Sequence, residues 1–254
     1  MTAVPAFADN YIWMIDDGQR AIVVDPGEPG PVFAALDERR LALAGILVTH
    51  HHADHVGGVD ALRSRLDGPV YGPAGERVPQ PCEGLAEGDA VEVMGLRFTV
   101  LDVPGHTAGH IAFFNAEGAG APMVFCGDTL FSAGCGKLFE GTPAQMHESL
   151  TKLAALPDDT RVCCGHEYTL SNLKFAQAVE PDNAEVAAHV ARCAALRADG
   201  KPTLPSPIGR ERRINPFLRC GEPAVIAAAR SHGATGGGGA DVLAAIRTWK
   251  NEFR

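Results

Sequence analysis

Residues 49–58 read Thr49-His50-His51-His52-Ala53-Asp54-His55-Val56-Gly57-Gly58 and place four histidines and one aspartate within six consecutive positions. A hydrophobic core cannot explain so many polar groups, because each buried polar side chain needs a partner. A metal ion is the natural partner for this set of nitrogen and oxygen donors. The alternatives are a polar loop, which would not need four of the chain's ten histidines, and a structural zinc site, which more often uses paired cysteines.

The flanking residues predict that this cluster lies on a loop between a strand and a helix. Residues 45–49 form a short apolar run typical of a buried strand, and residues 56–66 change to helical spacing. In an α/β sheet such loops lie at the carboxyl ends of strands, where functional sites are usually built. His50 and His52 point to one side of an extended segment, whereas the later ligands follow the bend. One loop can therefore serve two neighbouring metal ions.

The composition is typical of a globular protein and excludes several classes of partner. The chain has 254 residues, of which 46% are hydrophobic and 21% charged, and it lacks the run of ~18 apolar residues that crosses a membrane. A net charge of -9 argues against a nucleic-acid partner, because phosphate binding needs a basic surface. We therefore expect neither membrane nor nucleic-acid binding.

The amino-terminal residues 1–11 have neither the basic region nor the long apolar region of a secretory signal. The seven cysteines are an odd number without a regular framework, which fits reduced thiols better than disulfides. Together these features predict a cytoplasmic protein.

Three more metal-type side chains each follow a predicted apolar strand: His106, Asp128 and His166. Taken singly, each could be a hydrogen-bonded loop residue or a turn cap. Taken together with the loop at residues 50–55, they are hard to explain without a shared site.

The pattern of elements divides the chain into two predicted domains. Apolar runs predict strands at residues 11–15, 21–24, 91–93, 96–101, 111–114, 122–126 and 161–164, with a helix at 32–40. After Tyr168 the chain becomes rich in alanine and predicts helices at 171–179, 184–198, 224–231 and 241–253. We expect an α/β metal-binding domain at residues 1–167 and a helical domain at residues 168–254.

The spacing of His50, His52, Asp54 and His55 resembles the HxHxDH motif of the metallo-β-lactamase superfamily. The resemblance implies a four-layer αββα sandwich with a helical C-terminal domain. It also implies two metal ions, one held by His50, His52 and His106, the other by Asp54, His55 and His166, with Asp128 bridging both. This donor set suits zinc, with iron or manganese as alternatives. Such a pair makes hydroxide available near pH 7 and predicts metal-assisted hydrolysis.

Longer strings resemble one branch of that superfamily, the hydroxyacylglutathione hydrolases (glyoxalase II). These strings are residues 49–55, 127–131, 134–137, 140–142, 165–169, 215–219 and 250–253. The resemblance implies hydrolysis of S-(2-hydroxyacyl)glutathione, typically S-D-lactoylglutathione, to glutathione and D-lactate, the second step of methylglyoxal detoxification. It implies glutathione contacts from Lys137, Tyr168 and Arg219, and it departs at Phe139, where the family often has a tyrosine.

Other functions of the same ligand set are a persulfide dioxygenase-like iron oxidoreductase and another hydrolase of the superfamily, such as a lactonase or β-lactamase. A non-catalytic metal-binding module is a further alternative, since a fold does not fix a function. The complete ligand set and the segment at residues 215–219 favour the glutathione thioesterase. We expect a monomer or a weak homo-oligomer that acts on a small molecule.

Overall fold

The computed structural model describes residues 1–118 and 120–253, so Ala119 and Arg254 of the two predicted domains lie outside the described residues. The strands are β1 (Thr2–Ala6), β2 (Asn10–Asp16), β3 (Arg20–Val24), β4 (Ala42–Leu47), β5 (Val70–Pro73), β6 (Glu83–Leu85), β7 (Ala90–Val93), β8 (Leu96–Asp102), β9 (Ile111–Asn115), β10 (Met123–Gly127), β11 (Leu130–Phe131), β12 (Gly134–Cys135), β13 (Arg161–Cys164) and β14 (Ser206–Pro207). The helices are α1 (Pro29–Arg39), α2 (Ala53–Val56), α3 (Val59–Leu62), α4 (Pro143–Ala154), α5 (Thr169–Val179), α6 (Ala184–Ala198), α7 (Ile208–Ile214), α8 (Pro223–Ser231) and α9 (Gly239–Glu252).

The described chain forms two compact units, and neither is one continuous segment. The first unit consists of residues 1–102, 108–127 and 163–167, and the second of residues 103–107, 128–162 and 168–254. The predicted boundary after residue 167 coincides with the start of the last segment. Residues 128–162 group with the C-terminal helices, although they lie within the predicted domain at residues 1–167.

The first sheet of the first unit has the order β1-β2-β3-β4-β5-β6. Its opening strands β1, β2 and β3 are antiparallel, and β3 to β6 run parallel. The strands predicted at residues 11–15 and 21–24 are confirmed as β2 and β3, which pair antiparallel. The turn between them is closed by Asp17, whose Oδ1 accepts hydrogen bonds from the backbone N–H groups of Gln19 and Arg20. Strand β1 was not predicted, because Pro5 weakens the strand pattern; at the edge of the sheet a proline is tolerated.

The second sheet of this unit packs against the first. Strands β7, β8, β9 and β10 lie at the positions of four predicted strands and form an antiparallel meander. Trp13 of β2 and Phe125 of β10 meet edge to face with ring centroids 6.5 Å apart. In the hydrophobic core beside the first sheet, buried side chains of β1 to β4 pack with Val32 and Leu36 of α1 and with Leu62 of α3. The unit is thus layered as helices, sheet and sheet, with the metal loop after β4.

The second unit contains the alanine-rich helices that the sequence predicts, α5, α6, α8 and α9. Helices α4 and α7 were not predicted. Helix α4 begins with a capping box, in which Thr142 and Gln145 satisfy each other's backbone N–H groups. In residues 1–118 and 120–253 no helix combines the length and the apolar composition needed to cross a membrane.

Candidate metal centre and substrate cavity

The histidine cluster lies where the sequence predicts it, between the end of β4 and the short helices α2 and α3. Two glycines allow this tight connection. A Cβ atom on Gly57 would lie 2.7 Å from the Gly27 carbonyl oxygen, and one on Gly58 would lie 2.6 Å from that of Pro26. The Gly57-Gly58 pair therefore lets the loop close onto residues 26–28.

Asp54, His55 and His166 bring their ligand atoms together within 4.8 Å of one another. The Oδ2 atom of Asp54 lies 3.6 Å from Nε2 of His55 and 3.4 Å from Nε2 of His166. Both imidazoles are buried. Two converging imidazole nitrogens and a carboxylate oxygen at this spacing fit one divalent cation.

Asp25 orients this part of the loop from behind. Its carboxylate accepts hydrogen bonds of 2.7 Å from both the backbone N–H and the hydroxyl of Thr49, and its Oδ2 atom lies 3.1 Å from Nδ1 of His55. A carboxylate on one ring nitrogen leaves the other with the lone pair that a metal needs. Asp25 thus turns Nε2 of His55 toward Asp54.

His50 and His52 form the second set of donors in the first unit. Nε2 of His50 lies 3.1 Å from Nδ1 of His52, while Nδ1 of His50 lies 3.1 Å from the Thr49 hydroxyl. The His50 ring also stacks on His110, with centroids 4.6 Å apart. The nitrogens of His50 and His52 that face each other are the pair that could share a cation.

His51 is turned away from these ligands. Glu76 accepts hydrogen bonds from its backbone N–H at 2.6 Å and from its Nδ1 at 2.9 Å, and Glu76 also accepts from the N–H of Gly109. His51 therefore anchors the loop to Glu76.

His106 and Asp128 lie together in the second unit, with Nε2 of His106 3.5 Å from Oδ2 of Asp128. Nδ1 of His106 lies 2.9 Å from the carbonyl oxygen of Lys137, so this nitrogen donates and Nε2 keeps its lone pair. Gly136 makes the approach possible: a Cβ atom there would lie 2.0 Å from the Asp128 carbonyl oxygen and 3.0 Å from Nδ1 of His106. This explains the glycine in the string at residues 134–137.

The same pair opens into a cavity of about 450 Å³ within the second unit. Its lining joins the two metal-type ligands with aromatic and cationic side chains: His106, Asp128, Phe131, Cys135, Lys137, Phe139, Tyr168, Ser171, Asn172, Arg247, Lys250, Asn251 and Phe253. The structure therefore brings the predicted substrate residues Lys137 and Tyr168 to the predicted ligands His106 and Asp128.

Arg247 and Lys250 are cavity residues that sequence reasoning missed. Arg247 is buried, donates to the Cys135 carbonyl at 2.9 Å and lies over the Phe217 ring. Burial, together with the charge of Arg247, lowers the pKa of Lys250 to about 8. The available signal was two cations three residues apart on one predicted helix, which places them on the same face.

Arg219, the third residue predicted to contact the substrate, does not line this cavity. Its Nε and Nη2 atoms bind the carboxylate of Glu180 at 2.7 and 2.9 Å, and this hydrogen bonding raises the pKa of Arg219. Arg219 and Glu180 line a separate cleft with Arg213. Glu180 therefore neutralises the charge of Arg219, the residue for which the resemblance implies a contact with glutathione.

Comparison with known proteins decides the family. The model of the metallo-beta-lactamase superfamily matches residues 7–166, and the model of the hydroxyacylglutathione hydrolase C-terminus matches residues 167–253. A hydroxyacylglutathione hydrolase of Albidiferax ferrireducens is 56% identical over 250 residues, which cover 98% of each chain. The chain belongs to the hydroxyacylglutathione hydrolase family. The match to the metallo-beta-lactamase superfamily and the two sheets with their helices confirm the expected α/β fold class.

Two solved structures are similar to this chain in fold. The B3 metallo-beta-lactamase BLEG-1 aligns with a TM-score of 0.65 and 24% identity, covering 85% of this chain and 98% of that chain. TTHA1623, crystallised in a di-iron-bound form, aligns with a TM-score of 0.61 and 29% identity, covering 86% of this chain and 100% of that chain. The second likeness extends to a protein that holds two metal ions.

Proposed function

We propose that the protein hydrolyses the thioester of S-(2-hydroxyacyl)glutathione, with S-D-lactoylglutathione as the typical substrate, to glutathione and a 2-hydroxy acid such as D-lactate. The observation that carries this proposal is the cavity in which His106 and Asp128 stand beside Lys137, Arg247 and Lys250. Metal ligands and fixed cations in one cavity suit an anionic substrate with a carbonyl to be attacked. The reaction would be the second step of methylglyoxal detoxification.

We propose that seven side chains bind two divalent metal ions. His50, His52 and His106 would hold one, Asp54, His55 and His166 the other, and Asp128 would bridge them. The support is the donor chemistry: imidazole nitrogens with two carboxylates suit zinc, while iron and manganese are the other metals that such a set accepts. When bound, the metal ions lower the pKa of water and polarise the thioester carbonyl.

The chain's own residues prepare this centre for one protonation state. The Lys137 carbonyl accepts from Nδ1 of His106 and so holds a proton on that nitrogen, and the Asp25 carboxylate lies 3.1 Å from Nδ1 of His55, where it favours the same tautomer. The opposite nitrogen of each ring then presents its lone pair to a metal ion. The leaving group is a thiolate, so it departs without a strong general acid. Water activated at the metal centre would be the nucleophile, so no serine or cysteine nucleophile is required.

The cations of the cavity would bind the glutathione part of the substrate. Glutathione has two carboxylates, and Lys137, Arg247 and Lys250 supply charge-assisted donors for them. Tyr168 adds a phenol at the cavity, and the exposed ring of Phe139 offers an apolar contact where a tyrosine would add a hydroxyl. Residues 168–254 would therefore act as the substrate-binding domain.

A thioester assay tests the function. Purified protein with about two metal ions per chain should cleave S-D-lactoylglutathione and release one free thiol per turnover. Full metal loading without thiol release would refute the hydrolase. Oxygen consumption with glutathione persulfide would instead support the iron oxidoreductase, and cleavage of lactones alone would support the other hydrolase.

We further propose a cytoplasmic location, since glutathione thioesters form where the glutathione pool is. The protein would be a monomer or weak homo-oligomer, which light scattering on a sizing column can measure. Neither nucleic acid nor membrane is a proposed partner.

A further inference from the structure

The turn between β1 and β2 contacts two residues of one metal group. Nδ1 of His166 lies 2.8 Å from Oδ1 of Asp9, and Nδ2 of Asn10 donates to Oδ2 of Asp54 at 3.0 Å. Both contacted side chains belong to the group of Asp54, His55 and His166. Adjacent residues of one hairpin thus reach ligands that are more than a hundred positions apart in the sequence.

The contact to His166 is part of a backbone attachment. The N–H of Glu167 donates to the Asp9 carbonyl at 2.8 Å, and that of Tyr11 donates to the Gly165 carbonyl at 2.8 Å. The segment after β13 is therefore paired with the start of β2. Within this pairing, the Asp9 carboxylate holds the proton of His166 on Nδ1. The lone pair is then on Nε2, the nitrogen that faces Asp54.

The contact to Asp54 uses a group that cannot ionise. Asn10 is buried, and its amide donates to the Asp54 side chain and, at 3.4 Å, to the Asp54 carbonyl. The amide N–H donates to Oδ2, the same Asp54 oxygen that faces Nε2 of His55 and Nε2 of His166. A carboxylate oxygen has a second lone pair, so this atom can accept from Asn10 and still bind a metal ion. The other donor pair is oriented by different groups: His50 by the Thr49 hydroxyl and the His110 ring.

We propose that Asp9 and Asn10 are positioning residues for the metal position formed by Asp54, His55 and His166, and that they set its affinity separately from that of the other position. The inference rests on the dinuclear centre of the proposed function. Partners of this kind typically change metal affinity ~10–100-fold when removed. Their loss therefore converts a two-metal protein into one that holds a single metal ion at limiting metal concentration.

Three substitutions separate positioning from packing. Asp9→Ala removes the acceptor for His166. Asp9→Asn keeps an oxygen acceptor but loses the charge, so it should recover part of the affinity. Asn10→Asp keeps the shape but replaces a donor with an acceptor beside the Asp54 carboxylate. Asp60→Asn is the matched control, since its carboxylate is exposed and pairs with Arg63.

The experiment measures metal binding to the full chain, first stripped and then titrated with zinc in competition with a coloured chelator. The expected result is two binding steps for the natural protein and the control. For Asp9→Ala and Asn10→Asp, one step should weaken ~10–100-fold while the other keeps its affinity. Stepwise addition of cobalt(II) should give the visible absorption of only one site in these variants.

The possible results distinguish a failure of the proposed dinuclear centre from a failure of the proposed role of Asp9 and Asn10. Fewer than two metal ions on the natural protein would refute the dinuclear centre itself. Two unchanged steps in both variants, or equal weakening of both steps, would overturn the positioning role. Thermal unfolding of the metal-free proteins checks folding, and if Asp9→Ala unfolds, the milder Asp9→Asn and Asn10→Asp variants decide by the same two steps.

Discussion

Lys250 makes the affinity for an anionic substrate depend on pH. Its ammonium is partly buried, donates to the Ser171 carbonyl at 3.1 Å, and has a pKa of about 8 because burial and Arg247 disfavour its charge. The cationic fraction then falls from about nine-tenths at pH 7 to about one-tenth at pH 9. If the cation binds a glutathione carboxylate, kcat/KM should fall ~tenfold over this interval.

The assay is hydrolysis of S-D-lactoylglutathione between pH 6.5 and 9.5, with Lys250→Arg and Lys250→Gln as comparisons. Arginine stays charged, so its profile reports only the titration of the substrate and the metal centre. Glutamine should lower kcat/KM ~tenfold at pH 7, the lower end for a charge-assisted hydrogen bond of ~1.5–3 kcal/mol at a partly exposed site. Identical high-pH limbs for the natural protein and Lys250→Arg would refute the role of Lys250.

Three further predictions concern stability and metal. Arg219→Ala should leave KM unchanged, because the residue binds Glu180 outside the substrate cavity; chemical denaturation should instead give a loss of ~1–3 kcal/mol for the uncompensated carboxylate. Glu211→Ala should cost ~3–5 kcal/mol in the same measurement, since the fully buried carboxylate accepts from Ser132, Ala133, Ser206 and Asn215; a change below ~1 kcal/mol would contradict this. Chelation should abolish thioester hydrolysis while far-ultraviolet circular dichroism stays unchanged, and added zinc should restore the activity.

The metal residues on the loop were predictable because the signal is local and dense. Four of the seven predicted ligands fall within residues 50–55, directly after a strand whose apolar run is easy to read. Helix α4 also had a readable signal that was missed, the Thr142 to Gln145 capping box with Pro143 at the first turn. Helix α7 had none, because its seven residues include four charged ones and show no clear apolar period.

The roles within residues 215–219 could not be read from the sequence. Asn215 is fully buried and donates to the carbonyl oxygens of Phe131 and Gly134, so it holds the segment that lines the cavity. Phe217 packs on Phe175. The Glu180 partner of Arg219 is 39 positions away, and only the folded chain reveals that pairing. The segment thus marks the family through structural roles, while two of the three cavity cations, Arg247 and Lys250, come from α9.

One short segment links the metal ligand His106 to the substrate cavity. The Lys137 carbonyl accepts from Nδ1 of His106, the N–H of Phe139 donates to the His106 carbonyl at 3.2 Å, and the side chains of Lys137 and Phe139 both line the cavity. Gly136 cannot gain a side chain without displacing Asp128 or His106. A shift of this backbone would therefore move a proposed ligand and a proposed substrate cation together. The position of the cation that would bind the substrate and the position of the His106 ligand are consequently fixed by the same stretch of backbone. This explains why Gly136 and Lys137 occur in one uninterrupted string.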